Sequence, residues 1–258
     1  MGKILLMLLL LCCAVSAEAA VKSKLVEYKQ GDTVLEGYLA WDDAKKAKQP
    51  GVLIVHEWTG VNDHMKQRAE MLAKLGYVAF VVDIYGKGVR PSAQPEAAKT
   101  AGIYKNDRLL MRARIKAGLD ELKKQKQVDP KRIAAIGYCF GGTTVLELAR
   151  DGGDVRGVVS FHGGLSTPNP QDAGNIKGKV LALHGADDPF VKPEEVAAFQ
   201  DEMRIAGVDW MFVSYGNAVH SFTNKAAGND NRKGAAYNEK ADKRSWEAMK
   251  AFFAEIFK

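Results

Sequence analysis

The sequence predicts an α/β fold, a single domain in which helices cover both faces of a mostly parallel sheet. Short apolar runs typical of buried strands alternate with segments whose apolar residues recur at helical spacing. At 258 residues, of which 47% are hydrophobic and 26% charged, the chain has the composition of an ordinary globular protein. It contains no internal repeat and no low-complexity segment. One large α/β domain is therefore the simplest interpretation.

The predicted elements begin with a hairpin and continue as alternating strands and helices. Strands at 25–28 and 33–40 flank the turn Gln30-Gly31-Asp32. Later strands are predicted at 52–55, 77–82, 132–136, 155–160, 180–183 and 210–215, and helices at 62–75, 107–125, 143–149, 193–206 and 237–257. Segment 86–101 is predicted to be a long insertion, either a lid or a surface loop. Ligands of parallel α/β sheets bind beyond the carboxyl ends of the strands, so the site is expected there.

The first 19 residues have the composition of a secretory signal peptide. Lys3 precedes an apolar run at 4–15, and Ala17-Glu18-Ala19 offers a small-x-small cleavage site. The run is short for a membrane span, and a lipoprotein site at Cys12 or Cys13 is the less favoured alternative. We expect a mature domain of residues 20–258 that is periplasmic or secreted and has no stable membrane association.

Charge and cysteine content narrow the expected partners of the mature chain. Cleavage removes Lys3 and Glu18 together, so the formal net charge stays at +6, and basic and acidic residues are interspersed. We therefore expect no nucleic-acid partner and a monomer or weak dimer. Cleavage also leaves Cys139 as the only cysteine, so no intramolecular disulfide can form. A lone exported thiol favours a chemical role.

The segment Gly137-Tyr138-Cys139-Phe140-Gly141-Gly142 has a cysteine where a nucleophile elbow has its nucleophile. A predicted strand precedes the segment and a helix follows it, which is the context that this motif requires. Glycines allow a sharp reversal of the chain, and a helix N-terminus favours a thiolate over a thiol. A buried structural cysteine is the alternative interpretation of the motif alone.

An acid and a histidine follow Cys139 in the order found in α/β-hydrolase triads. Asp187 and Asp188 lie after the strand at 180–183, and His220 lies after the strand at 210–215. Asp188 is preferred because the usual pattern is glycine, two residues and aspartate, and Asp187 is the alternative. The other four histidines are interpreted as strand-end or surface residues: His56, His64, His162 and His184.

Taken together, these segments resemble the dienelactone hydrolase family of α/β-hydrolases over nearly the whole mature chain. The resemblance rests on segments 137–142, 185–191 and 220–222 and, most diagnostically, on His56-Glu57-Trp58-Thr59-Gly60-Val61-Asn62. It implies an α/β-hydrolase fold with an N-terminal antiparallel hairpin. It also implies a carboxylic ester or lactone hydrolase with a small-molecule substrate.

The resemblance assigns a role to each candidate. Cys139 would be the nucleophile, His220 the general base and then acid, and Asp188 the residue that orients His220. Glu57 would hydrogen-bond the resting thiol and help its deprotonation. The oxyanion hole would consist of two backbone N–H groups, those of Trp58 and Phe140, of which the latter begins a helix and lacks an intrahelical partner.

The chain differs from better-known members of the family at two positions where those members have an arginine. Those members have an arginine after His-Ser-Phe and another after Asp-x-Tyr, and the pair can hold a substrate carboxylate. Here the corresponding residues are Asn224 and Lys87, which cannot form the two-pronged grip of arginine. Another ester or lactone is therefore expected in place of dienelactone. Tyr85 is a further candidate for lining the pocket.

No cofactor and no metal is expected. The glycine spacing of 137–142 fits neither the dinucleotide fingerprint nor the phosphate loop, and adjacent His56 and Glu57 would point to opposite faces of a strand. The alternative function is a catalytically silent ligand-binding or sensing protein on the same fold. A redox role is disfavoured because the mature chain has no resolving cysteine.

Overall fold

An antiparallel hairpin begins the part of the chain that the computed structural model describes, residues 20–92 and 94–258. Strands β1 (Val21–Gln30) and β2 (Thr33–Asp42) pair over their whole length. The turn between them places Gly31 at a φ of 55°, a left-handed conformation that glycine adopts at little cost. The predicted signal peptide, residues 1–19, lies outside the described residues.

Among the described residues, six further strands complete one sheet of eight. They are β3 (Gln49–Val55), β4 (Val78–Val82), β5 (Val128–Tyr138), β6 (Gly157–Phe161), β7 (Lys179–Gly185) and β8 (Trp210–Tyr215). The order across the sheet is β1-β2-β4-β3-β5-β6-β7-β8, with β2 antiparallel to β4 and β3 to β8 all parallel. The predicted mostly parallel sheet is confirmed, and the carboxyl ends of β3 to β8 meet at one edge.

In the part of the chain that the structure describes, six α-helices connect and cover the strands. They are α1 (Asp63–Lys74), α2 (Gln94–Asn106), α3 (Arg108–Lys124), α4 (Phe140–Arg150), α5 (Pro193–Ile205) and α6 (Glu239–Ile256). The predicted insertion at 86–101 contains in its second half the start of α2, a helix that the sequence did not predict. This helix buries mainly small side chains, Ala97 and Ala101 besides Tyr104, so its apolar pattern is weak. In the described ranges, no helix has the length and apolar character needed to cross a membrane.

The two faces of the sheet carry separate hydrophobic cores. Leu53 and Val55 of β3 pack in the core that includes residues of α3, α4 and α5, whereas Val52 and Ile54 pack in the core formed with α1 and α6. Side chains alternate between faces along a strand, so each parallel strand is apolar on both sides. This explains the continuous apolar runs in the sequence.

A buried ion network anchors the C-terminal end of α4. Arg150 is fully buried, and its guanidinium donates to both carboxylate oxygens of Glu202 on α5 at 2.7 Å. It also donates to Glu147 at 3.0 Å and to the Leu165 carbonyl at 2.9 Å, while Arg112 of α3 donates to the other oxygen of Glu147 at 2.9 Å. The network thereby joins α3 and α5 to α4, the helix that directly follows Cys139.

Candidate active site

Cys139 lies at the junction of β5 and α4 in a strained backbone conformation. Its φ of 54° and ψ of −114° are uncommon for a residue with a side chain. The surrounding backbone leaves no room for a Cβ at Gly137, which would collide with the Gly141 carbonyl, or at Gly141, which would collide with the Val55 carbonyl. The motif glycines therefore allow β5, α4 and the end of β3 to approach closely, and the half-buried thiol stands at the helix N-terminus.

His220 is paired with Asp188. The Nδ1 atom of His220 lies 2.8 Å from Oδ2 of Asp188, whose side chain is fully buried, and the Phe190 N–H donates to Oδ1 at 2.9 Å. Burial by itself would lower the pKa of His220, but the negative charge of Cys139 and the hydrogen bond with Asp188 outweigh it and raise the pKa to about 10. Asp187 is exposed. Of the two candidate acids, Asp188 is the one that contacts the histidine.

The backbone N–H groups of Trp58 and Phe140 are the two oxyanion donors that the resemblance implies. Phe140 is the first residue of α4, so its N–H has no partner within the helix, and Trp58 follows β3 in a turn. No hydrogen-bond acceptor for either group occurs within residues 20–92 and 94–258. Tyr85 donates its hydroxyl to the Trp58 carbonyl at 3.0 Å. The role of these two N–H groups as oxyanion donors stays a prediction.

Glu57 is buried, and the hydrogen-bond partners of its carboxylate are Asn224 and His64, whereas the resemblance implies a bond to the Cys139 thiol. Oε2 accepts from Nδ2 of Asn224 at 2.7 Å and lies 3.4 Å from Nδ1 of His64. Arg68 donates through Nε to Nε2 of His64 at 3.3 Å, which leaves the proton of a neutral ring on Nδ1, facing Glu57. The described chain shows no hydrogen bond between Glu57 and the thiol, so that role stays a prediction.

The three residues predicted to contact substrate, Tyr85, Asn224 and Lys87, do not all lie at the site. Tyr85 is buried, burial raises the pKa of its hydroxyl, and that hydroxyl donates to the Trp58 carbonyl at 3.0 Å. Asn224 reaches the site through its bond to Glu57. The exposed Lys87 instead pairs with Glu27 and Glu36 of the hairpin. Both acids lie on β1 and β2, so they draw the ammonium toward the hairpin. Within residues 20–92 and 94–258 no ion pair or hydrogen bond joins the Lys87 side chain to Cys139 or His220, and its substrate role stays a prediction.

His162, which the sequence predicted to be a strand-end or surface residue, contacts both Cys139 and His220. It is fully buried at the end of β6, its Nδ1 accepts from the Cys139 N–H at 3.1 Å, and its Nε2 lies 2.8 Å from the Thr223 hydroxyl. Its ring packs edge-to-face against that of His220 with centroids 5.2 Å apart. Burial, followed by the charges of His220 and His64, keeps the pKa of His162 well below its usual range. In the sequence, only the position of His162 directly after a predicted strand pointed to a place at this edge of the sheet.

The described ranges contain no group of three or more histidine, cysteine or acidic side chains arranged to hold a metal ion. The site instead brings together a thiol, an imidazole–carboxylate pair and two free N–H groups. Such a set is suited to attack on a carbonyl carbon and to stabilisation of the oxyanion that results.

The sheet order and the position of this site at the carboxyl ends of the strands define an α/β-hydrolase. The model of the dienelactone hydrolase family matches residues 35–257, so the chain belongs to this family.

Solved structures and curated relatives agree with this assignment. The structure of m3DLH is 44% identical, with 93% of this chain and all of that chain covered and a TM-score of 0.89. P91, a dienelactone hydrolase-like promiscuous phosphotriesterase from metagenomic libraries, is 43% identical, with 92% and 99% covered and a TM-score of 0.88. A relative from Aquifex aeolicus with the provisional name carboxymethylenebutenolidase is 27% identical over 91% of this chain and 99% of its own. The protein is a carboxylic ester hydrolase, a class whose substrates are esters or lactones.

Proposed function

We propose that the protein hydrolyses a carboxylic ester or lactone through a thioester on Cys139. The observation that carries this proposal is the arrangement around the elbow, where the imidazole of His220 is bonded at 2.8 Å to Asp188 and Cys139 stands at the N-terminus of α4. Both of these neighbours raise the pKa of His220. A thiolate paired with an imidazolium is the reactive form of a cysteine nucleophile.

The acylation step follows from this arrangement. The sulfur of Cys139 attacks the carbonyl carbon, and the electron pair of the C=O bond moves to oxygen, where the N–H groups of Trp58 and Phe140 can donate to it. The oxyanion then re-forms the C=O bond and expels the alkoxide, which takes the proton of His220. Removal of one such donor costs about 10²–10³ in kcat in enzymes of this kind.

Deacylation uses the same residues in reverse order. His220, now neutral, accepts a proton from water, and the hydroxide attacks the thioester carbon. The second oxyanion collapses, the C–S bond breaks, and the carboxylic acid leaves with the imidazolium–thiolate pair restored. Asp188 keeps Nδ1 protonated throughout, so that Nε2 remains the atom that gives and takes the proton.

We further propose that the substrate is uncharged near its acyl group. Asn224 and Lys87 stand where better-known family members have the two arginines that can hold a carboxylate. The Asn224 amide is bonded to Glu57 and the Lys87 ammonium is paired with Glu27 and Glu36, so neither is available as a free cation. This supports a neutral ester or lactone.

Mass spectrometry of the mature protein tests the covalent route. Incubation with a panel of short activated esters and neutral lactones should add the acyl mass to the Cys139 peptide, and His220→Ala should accumulate the adduct because deacylation lacks its base. The panel should include a phosphotriester, since P91 has that activity. Hydrolysis that survives Cys139→Ala unchanged would overturn the proposal. Saturable binding without product, measured by calorimetry, would instead support the silent ligand-binding alternative.

We also propose that the enzyme acts outside the cytoplasm as a monomer or weak dimer. The support is the sequence itself, with Lys3, the apolar run at 4–15 and the small residues Ala17 and Ala19. The N-terminal peptide of protein recovered from the periplasmic or culture fraction should begin near residue 20, and light scattering should give the mass of one chain at low concentration. An intact Met1 in the cytoplasmic fraction would contradict export.

A further inference from the structure

We propose that His56 is a positioning residue that holds the Trp58 N–H group in place as an oxyanion donor. The inference deepens the proposed function and rests on it, because it requires an oxyanion to form at Cys139. His56 is fully buried at the carboxyl end of β3. It makes no contact with substrate in this role and acts through the peptide group that follows Glu57.

The contacts of His56 fix where its ring proton lies. The Ile84 N–H donates to Nε2 at 3.2 Å, so this nitrogen must offer its lone pair. A neutral ring then carries its proton on Nδ1, which lies 2.6 Å from the Glu57 carbonyl oxygen and donates to it. Burial lowers the pKa of His56 to about 4, so the ring is neutral near pH 7. One tautomer therefore satisfies both nitrogens.

The Glu57 carbonyl and the Trp58 N–H belong to one planar peptide group. A bond that fixes the direction of the oxygen fixes the direction of the N–H as well. The bond also polarises the peptide, since linked hydrogen bonds strengthen one another by roughly 10–30% each. The next carbonyl, that of Trp58, is held by the Tyr85 hydroxyl at 3.0 Å. The peptide groups before and after Trp58 are therefore each held by a side-chain hydrogen bond, the first from His56 and the second from Tyr85.

The same imidazole packs against the residue that carries the second donor. Its ring stacks on that of Phe140 with centroids 5.8 Å apart and meets the ring of Tyr85 edge-on at 4.7 Å. The carbonyl oxygens of Val55 and His56 pack against Gly141, where a Cβ would collide with them. The spacing between the Trp58 and Phe140 donors therefore depends on His56 and its immediate neighbours.

Two matched variants separate the bond to Glu57 from the rest of the histidine. In His56→Asn the side-chain amide nitrogen lies near the place of Nδ1 and can still donate to the Glu57 carbonyl. In His56→Gln the amide lies near the place of Nε2 and can still accept from the Ile84 N–H. The Glu57 carbonyl then loses the short bond from position 56 and keeps only the longer bond from the Gly60 N–H at 3.2 Å. Both variants lose the ring. We expect acylation of Cys139 by an activated ester to be about tenfold slower in His56→Gln than in His56→Asn, with little change in KM.

Alkylation of Cys139 by iodoacetamide is the internal control, because this reaction forms no oxyanion. Its rate should be the same in both variants, whereas the carbonyl stretch of a cinnamoyl thioester on Cys139 should move to higher frequency only in His56→Gln. Equal acylation rates in the two variants, or an alkylation rate that falls in parallel with acylation, would overturn the inference. Absence of any acyl adduct in the wild-type protein would instead overturn the proposed function itself.

A measurement on the wild-type protein keeps the inference testable if either variant fails to fold. Nitrogen-15 NMR of the His56 ring should show a protonated Nδ1 and an unprotonated Nε2, with a downfield Nδ1 proton that exchanges slowly. A ring protonated on Nε2 could not donate to the Glu57 carbonyl, and that result would refute the assignment of His56 as a positioning residue.

Discussion

Replacement of Asp188 by Asn removes the buried carboxylate that accepts the hydrogen bond of His220. The bond is 2.8 Å long and the Asp188 side chain is fully buried, so water cannot take over its role. Hydrogen bonds to charged groups contribute about 1.5–3 kcal/mol, which corresponds to roughly 10- to 150-fold in rate if the bond is fully used in the transition state. An asparagine amide can also donate to Nδ1 and favour the wrong tautomer, which in a serine-protease triad costs about 10⁴ in kcat.

We therefore expect Asp188→Asn to lower kcat/KM for a short activated ester by between about 10² and 10⁴. The pKa of His220, about 10 in the wild-type protein, should fall because one of its favourable partners is lost. Steady-state kinetics gives the first quantity, and a proton NMR titration of the His220 ring gives the second. Both should be measured on the mature protein with Cys139 intact.

Asp187→Asn is the matched control, because it makes the same chemical change at the exposed neighbour. It should leave kcat/KM within about twofold of wild type, as surface substitutions usually do. Equal losses in the two variants would show that the loop, and not the carboxylate of Asp188, carries the effect. An Asp188→Asn enzyme with more than about a third of wild-type activity would refute the reasoning from the buried hydrogen bond.

Three further predictions concern stability and specificity. Arg150→Met should lower the free energy of unfolding by about 3–5 kcal/mol in urea titrations, because it leaves the buried carboxylate of Glu202 without its cation; a loss below about 1 kcal/mol would contradict this assignment. Asn224→Arg should raise kcat/KM for a carboxylate-bearing lactone about tenfold relative to a neutral ester, since arginine can grip a carboxylate with two hydrogen bonds, and an unchanged ratio of the two constants would count against it. The pKa of His56 is lowered to about 4 in the folded protein, so the unfolded chain binds the proton first and stability should fall as pH drops from 6.5 to about 4. This fall should be shallower in His56→Asn, and equal slopes for the two proteins would exclude His56 as its source.

Much of the architecture could be predicted because buried parallel strands have continuous apolar runs. The strand at 210–215 was predicted with the bounds that the structure gives it, and the helix at 193–206 differs by one residue. Helix α2 was missed because Ala97 and Ala101 give too little contrast in hydrophobicity between its faces. Hydrophobic periodicity is therefore a weak guide to a helix whose burial depends on small side chains.

The site was predictable to the level of residue types and their order. Cys139, Asp188 and His220 each follow a strand whose carboxyl end is identified by pattern, so their convergence at one edge of the sheet follows from the topology. The contacts of Glu57, His56 and the other buried histidines could not be predicted in this way. Their partners are single hydrogen-bonding atoms in other parts of the chain, and no local pattern reports them.

The sequence by itself determined the α/β class and the chemical groups that stand at the ends of its strands. Only the tertiary structure decided which aspartate meets His220, that Glu57 is bonded to Asn224, and that a neutral His56 holds the peptide before Trp58. Hydrophobic periodicity predicts which face of a helix or strand is buried, because that pattern is the sum of many residues. A hydrogen bond instead depends on a few tenths of an ångström between atoms that can be 167 residues apart, as in the bond from Asn224 to Glu57.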